Sequence, residues 1–218
     1  MTTTKRILCF GDSLTWGWIP TNEGAPTSRY PINQRWTGAM LDDLGDGYEI
    51  IEEGLSSRTT NVDDPVDGRL NGARYLPTAL ASHLPLDFVV LLLGTNDTKP
   101  IYNRTAYEIA YGMAELVGQV QGSGGGVGTL YPAPRVVVVA PPRLGTIPHP
   151  WFGEMFAGAQ AKTEQLPALY AALASFAGVA WLDAGAHICT DGVDGIHLSA
   201  ESNTILGRAV AQKIRELI

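Results

Sequence analysis

The stretch RILCFGDSLTWGW, residues 6–18, sets an apolar run, Ile7 to Phe10, directly before Gly11, Asp12 and Ser13. An apolar run without polar alternation reads as a strand buried on both faces. The Gly-Asp-Ser step reads as the turn from that strand into a helix. A serine at such a turn stands at the C-terminal edge of a sheet, where open α/β folds collect their ligands. Ser13 is therefore a candidate nucleophile. Gly, Asp and Ser are also ordinary turn residues, so the assignment depends on what the rest of the chain supplies.

Similar runs recur at Arg6 to Phe10, Tyr48 to Ile51, Phe88 to Leu93, Val136 to Ala140 and Val179 to Leu182. Between them lie stripes at helical spacing: Trp36, Met40, Leu41 and Leu44; Ile109, Met113, Leu116, Val117 and Val120; Leu166, Leu169, Tyr170, Leu173 and Phe176. A last stripe, Ile205, Leu206, Val210, Ile214 and Leu217, follows Ser199, which suits an N-cap. Strand and helix alternate throughout, which predicts a three-layer α/β/α domain of doubly wound type with right-handed crossovers. No linker divides the 218 residues, so 1–218 is expected to be a single domain. The proline-rich stretches Thr21 to Asn33 and Pro141 to Phe152 are expected to be lids or interface loops. The run GSGGGVG at Gly122 to Gly128 precedes a strand and lacks the G-x-G-x-x-G pattern, so it reads as a flexible connection and not a phosphate cradle.

Hydrophobic residues make up 45% of the chain and charged residues 17%, enough for a sizeable core. A net charge of -7 offers no basic face to nucleic acid and favours small neutral substrates. The two cysteines, Cys9 and Cys189, lie far apart in sequence, and two thiols are too few for a disulfide framework or a usual zinc site. The opening MTTTKR lacks the apolar stretch of a signal peptide, and no apolar run is long enough to span a bilayer, so a soluble, cytoplasmic protein without membrane association is expected.

Ester cleavage by a serine needs a base for the hydroxyl proton, a group that orients the base, and donors for the oxyanion. Of the four histidines, His197 in DGIH (194–197) is the best base, with Asp194 three residues before it and Asp191 six before it as possible orienters. His83 ends an expected helix and suits a C-terminal cap; His149 sits beside prolines and His187 in a loop. No pair of histidines has a helical metal-ligand spacing, so no metal site is expected. GTND (94–97) follows VVLLL at the same sheet edge as Ser13, where the Asn96 amide could meet an oxyanion and Asp97 suits a structural or capping role. Neither G-x-S-x-G nor a P-loop occurs. Trp36 reads as core. Trp16 and Trp18 directly follow the serine, while HPWF (149–152) lies in a lid stretch, so an apolar channel over Ser13 is expected. Asp12, Leu14, Trp18, Thr95, Trp151, Phe152 and Ile196 are accordingly the candidate substrate-binding residues.

The blocks GDSL (11–14), GTND (94–97) and DGIH (194–197), in this order and spanning nearly the whole chain, resemble the SGNH or GDSL hydrolase family of esterases and acyltransferases. The stretches LCFGDSLTWGW, EEGLSSRTTN, LNGARYLPTAL and HPWF resemble its arylesterase/acyltransferase branch, which includes perhydrolases. The resemblance implies a flavodoxin-like five-stranded parallel sheet in the order 2-1-3-4-5, and Asp194 as the orienter of His197. It also implies an oxyanion hole of the Ser13 and Ser57 N–H groups with the Asn96 side chain. Ser57 stands where the family carries a glycine when GLSSRTT is aligned on Thr59 and Thr60, and Gly54 is the other candidate donor. No cofactor is implied. The implied partners are small ester and alcohol substrates, with transfer to alcohols or hydrogen peroxide, in a homo-oligomer, with an octamer as the candidate form. Two other functions fit the same pattern: a carbohydrate acetyl esterase and, outside enzymes, a flavin- or nucleotide-binding doubly wound module.

Overall fold

The computed structural model describes residues 4–218. Five strands, β1 (Lys5–Gly11), β2 (Tyr48–Gly54), β3 (Phe88–Leu92), β4 (Arg135–Ala140) and β5 (Ala180–Asp183), form one sheet. All neighbours are parallel, in the order β2-β1-β3-β4-β5. The helices are α1 (Ser13–Trp16), α2 (Trp36–Leu44), α3 (Gly72–His83), α4 (Ala106–Gln121), α5 (Pro150–Met155), α6 (Ala159–Thr163), α7 (Leu166–Ala177) and α8 (Ala200–Arg215).

The strands lack alternation because both faces are covered. Leu8, Phe10, Val89, Leu91, Val136 and Val138 pack against Leu76 and Leu80 of α3, Ile109 and Met113 of α4, and Tyr170 of α7. Their sequence neighbours Ile7, Cys9, Val90, Leu92, Val137 and Val139 face Trp36 and Met40 of α2 and Leu206, Val210 and Ile214 of α8. Each such fully buried side chain contributes roughly 1.5–3 kcal/mol of transfer free energy. Trp36 is core, as its stripe predicts, and Ser199 caps α8 by accepting from the Ser202 N–H.

Three expectations change, the first being that Ile205, placed on the stripe of the last helix, is 39% exposed while α8 buries Leu206, Val210 and Ile214. Phe176 is 94% exposed, because α7 buries Leu166, Tyr170 and Ala174. Six residues beyond Tyr170, at about 100° per residue, carries Phe176 well off that face. The proline-rich stretch ending at Phe152 is not loop to its end, since Pro150 starts α5 from the first-turn position where its missing N–H costs nothing.

The register positions the site. Gly11 pairs with both Gly54 and Leu92, so β1, β2 and β3 end level. The connections from β1 run to opposite sides, to β2 and then across to β3, and the crevice of such a switch point opens at these strand ends. No helix among the described residues is long and apolar enough to cross a membrane.

Candidate active site

Ser13 is the first residue of α1, directly beyond β1. The turn is tight: a Cβ on Gly11 would lie 2.1 Å from Thr15 Oγ1 and 2.8 Å from Leu92 O. Only glycine fits there. Asp12 caps α1, its Oδ1 accepting from the Leu14 N–H at 2.9 Å, and α1 ends after one turn at Gly17 in the left-handed conformation. This fixes the Ser13 hydroxyl at the sheet edge with 8% of the residue exposed.

Across the edge, the loop before α8 brings His197 Nε2 to 2.9 Å from Ser13 Oγ, and His197 Nδ1 to 2.7 Å from Asp194 Oδ2. Asp194 Oδ1 accepts from the N–H groups of Ile196 and His197, each at 2.9 Å. Burial alone would raise the Asp194 pKa, but the bonds from the His197 ring and these two N–H groups outweigh it and hold the carboxyl below its ordinary 3.8. An anionic Asp194 keeps the proton on Nδ1, so Nε2 can accept from the serine. Asp191 is engaged elsewhere: it accepts from the Ser199 N–H at 2.8 Å and the Ser199 hydroxyl at 2.5 Å.

Behind β3, the 3-10 turn Asn96–Thr98 carries Asn96, whose Nδ2 donates to Arg58 O at 3.2 Å and reaches Asp12 Oδ2 at 3.4 Å. The second contact is the longer and weaker of the two, so it is the one that a competing acceptor would displace. Ser57 follows β2 and has φ 69°, the left-handed region where a glycine would rest without strain. Gly54, the other candidate donor, ends β2 beside α1. A Cβ there would lie 2.3 Å from the Trp16 N, so it permits the close approach of β2 and α1.

Asp97 is structural but caps nothing. It is fully buried and accepts from the Thr60 N–H at 2.9 Å, the Thr60 hydroxyl at 2.5 Å and Arg104 Nη1 at 2.9 Å, joining the loops after β2 and β3. His83, expected as a cap, instead places Nε2 2.9 Å from Glu53 Oε1. His149 lies edge-on to Phe152 at 5.2 Å, and His187 is exposed.

Ser13, His197, Ser57, Thr95 and Asn96 line a cavity of about 50 Å³ whose apolar walls are Trp18, Phe152, Met155, Phe156 and Ile196. Of the expected substrate-binding residues, Trp18, Thr95, Phe152 and Ile196 are here. Leu14 is not; it packs into the core with Ile7 and Cys9. Trp151 is 70% exposed and lines the adjoining groove. Asp12 lies beneath the serine as a helix cap and reaches no cavity wall. Sequence reasoning missed Ser56, Lys99 and Met155 in the cavity, whereas Phe156 belongs to the aromatic cluster around the lid stretch that the expected channel rests on. It also missed Arg58, which donates from Nη1 to Gly11 O and Glu53 O while lying over the Phe10 and Tyr75 rings, and so fixes the Ser57 loop to the ends of β1 and β2. Nothing in their local patterns marks them. Among the described residues no group of three or more His, Cys, Asp or Glu could hold a metal ion.

The sequence profile of the GDSL-like Lipase/Acylhydrolase family matches residues 9–205. Curated protein sequences yield no match. Among solved structures, Est24, a carbohydrate acetylesterase from Sinorhizobium meliloti, is 63% identical, superposes with a TM-score of 0.97, and is matched over 98% of this chain and 100% of its own. The aryl esterase of M. smegmatis is 59% identical over the same shares, also at 0.97. A putative arylesterase from Agrobacterium tumefaciens is 35% identical over 98% of this chain and 100% of its own, at 0.86. A nucleotide- or flavin-binding module is thereby set aside. Because the profile runs from β1 into α8 and the similar structures are esterases along their whole length, the chain belongs to the GDSL-like lipase/acylhydrolase family, on its arylesterase branch, and is an ester hydrolase.

Proposed function

We propose that the chain is a serine esterase of small carboxylic esters that works through an acyl-enzyme on Ser13 and gives the acyl group to alcohols or hydrogen peroxide as well as to water. The observation that carries this is the hydrogen-bonded line from Asp194 through His197 to Ser13 Oγ, opening into a small apolar cavity. Ser13 Oγ attacks the ester carbonyl while its proton passes to His197 Nε2. The carbonyl becomes an oxyanion, held by the main-chain N–H groups of Ser13 and Ser57 and by Asn96 Nδ2. As the tetrahedral intermediate collapses, the bond to the alcohol oxygen breaks and His197 returns the proton to the leaving alkoxide. Deacylation runs the same steps backwards: water, alcohol or peroxide attacks the acyl carbon, loses its proton to His197, and Ser13 regains it. The chain's own residues supply every proton transfer. Apolar walls around the acyl carbon favour acceptors with an apolar stem over ordered water.

A second reading, cleavage of acetyl groups from carbohydrates, is favoured by the 63% identity to Est24, described as a carbohydrate acetylesterase. We retain the homo-oligomer as part of the proposal, supported by Tyr107 and Tyr111, one turn apart on α4 and about two-thirds exposed. Light scattering measures it. The catalytic reading is tested with a fluorophosphonate followed by peptide mapping: the label is expected on Ser13, and Ser13→Ala should retain its fold while turnover falls by several orders of magnitude. More than a hundredth of the wild-type activity in Ser13→Ala would overturn it.

A further inference from the structure

The proposed oxyanion donors stand beyond three different strands, Ser13 after β1, Ser57 after β2 and Asn96 after β3. One residue is bonded at all three places. Arg58 Nη1 donates to Gly11 O at 3.0 Å, two residues before Ser13, and also to Glu53 O in β2. The main-chain carbonyl of Arg58 accepts from Asn96 Nδ2 at 3.2 Å. Arg58 itself lines no part of the cavity at Ser13.

Its setting is that of a clamp. Arg58 is 3% exposed, and its guanidinium carbon lies 4.1 Å from the centroid of the Phe10 ring and 5.3 Å from that of Tyr75, so aromatic faces fix the plane of the fork. Both acceptors of Nη1 are main-chain carbonyls, and Nε is buried with no hydrogen-bond partner among the described residues. A cation buried with one donor unpaired and no carboxylate bonded to it is a poor source of stability. The fold also has other ties at the same place. Gly11 O accepts from the Leu55 N–H at 3.1 Å as well, and β1 pairs with β2 from Lys5 to Gly11.

What Arg58 adds is the position of a strained turn. The Arg58 N–H closes that turn onto Leu55 O at 3.0 Å, with Ser57 inside it at φ 69°. A residue with a Cβ is disfavoured in that conformation, which persists only where the surroundings impose it. The Arg58 side chain fixes one end of the turn to β1 and β2, and the Arg58 carbonyl carries the same constraint to the Asn96 amide. Resting on the serine-esterase reading above, we propose that Arg58 is the positioning residue of the oxyanion hole, setting where the Ser57 N–H and Asn96 Nδ2 point relative to Ser13 Oγ. It acts through those donors and touches neither the ester nor the reacting atoms.

A displacement of donors by about 1 Å costs on the order of 10² in rate, and donors that act in the transition state lower kcat and kcat/KM together. The test uses the full-length protein with ethyl acetate as substrate. Arg58→Met, which keeps length and apolar contact, should fold and lose about 10² in kcat with KM within about threefold, and Arg58→Lys, which can still donate to the two carbonyls, should recover about tenfold of that loss. Because Arg58 acts through Asn96, adding Arg58→Met to Asn96→Ala should cost about tenfold or less. A lower melting temperature with kcat intact would make Arg58 purely structural and overturns the proposal. So does a raised KM with unchanged kcat, or a double variant in which the two losses simply multiply. Should Arg58→Met fail to fold, Arg58→Lys decides by the same kcat and KM readings and the same cycle with Asn96→Ala, and a wild-type kcat in it overturns the proposal. Ser13→Ala separates the two readings: activity retained there ends the serine reading, whereas an inactive Ser13→Ala beside a fully active Arg58→Met ends this one alone.

Discussion

The indole of Trp18 lies flat on the imidazole of His197, with ring centroids 5.0 Å apart and planes 14° apart. His197 is thus held on its edge by Asp194 and on one face by an aromatic ring, so it keeps the orientation that points Nε2 at Ser13. In the proposed mechanism the histidine takes the serine proton, and its imidazolium would then face the negative π-surface of the indole, an interaction of about 0.5–2 kcal/mol. Trp18→Ala should therefore lower kcat about tenfold, and Trp18→Phe should keep most of it. Steady-state rates on ethyl acetate check this; equal loss in both variants would mean that indole-specific packing matters and not a stacked face.

The two aspartates before His197 are assigned different work by their partners. Asp194 bonds the ring, so Asp194→Asn should cost up to about 10⁴ in turnover by favouring the wrong tautomer. Asp191 holds Ser199, the N-cap of α8, so Asp191→Asn should leave turnover near wild type and cost about 1 kcal/mol of stability. Turnover and thermal melts on both variants separate the roles, and a crippled Asp191→Asn beside a normal Asp194→Asn would reverse them.

Ser57 occupies a left-handed position that costs a non-glycine residue roughly 1–2 kcal/mol. Its proposed donor is the main-chain N–H. Ser57→Gly should keep turnover within about threefold and gain about 0.5–1 kcal/mol, the relief of strain less the extra entropy of an unfolded glycine. Ser57→Ala should be mild, whereas Asn96→Ala, which removes a side-chain donor, should lose about 10² to 10³. A severe loss in Ser57→Ala with the fold intact would transfer the role to the hydroxyl.

Asp12 sits under the serine with a carboxyl raised from 3.8 to about 7, mainly because burial disfavours its charge, with Asp97 adding to the rise and the Leu14 N–H, Lys99 and Arg58 opposing it. The folded chain therefore keeps a proton that the unfolded chain releases between these two values. Stability should fall as pH rises from about 4 to 7, with the full cost present above that window. Asparagine retains the oxygen that caps α1 and cannot ionise, so Asp12→Asn should flatten the fall and melt higher than wild type at pH 8. Parallel declines in the two proteins would place the titration elsewhere.

The fold was legible because doubly covered strands leave continuous apolar runs and helices leave stripes, and both signals are local. Site details were legible where one short segment holds both partners, as Asp194 and His197 do across a three-residue loop. They were obscure where neighbours diverge. Trp151 and Phe152 are adjacent in sequence, but successive helical residues point about 100° apart, so in α5 one lines the groove and the other the cavity. Leu14 differs from Ser13 in the same way, turning into the core from a one-turn helix. Lys99 and Arg58 reach the site through tertiary contacts that no sequence spacing encodes.

The proposed acyl transfer depends on which nucleophile reaches the acyl carbon. Trp18, Phe152, Phe156 and Ile196 form one wall of the approach to Ser13 and offer apolar surface to the stem of an alcohol, while the polar groups lie on the side of Ser13, Asn96 and His197. With a vinyl ester and benzyl alcohol in water, early samples should contain benzyl ester beside free acid, and the share of benzyl ester should rise with alcohol concentration. Enlarging and wetting the wall with Ile196→Ser should shift the products towards free acid while total vinyl ester consumption changes little, because the enlarged wall admits water without touching the Ser13–His197 contact. Chromatographic product ratios at several alcohol concentrations check both outcomes. Free acid alone at every concentration would reduce the proposed activity to hydrolysis, and an unaltered ratio in Ile196→Ser would mean that partitioning is set by a wall other than this one.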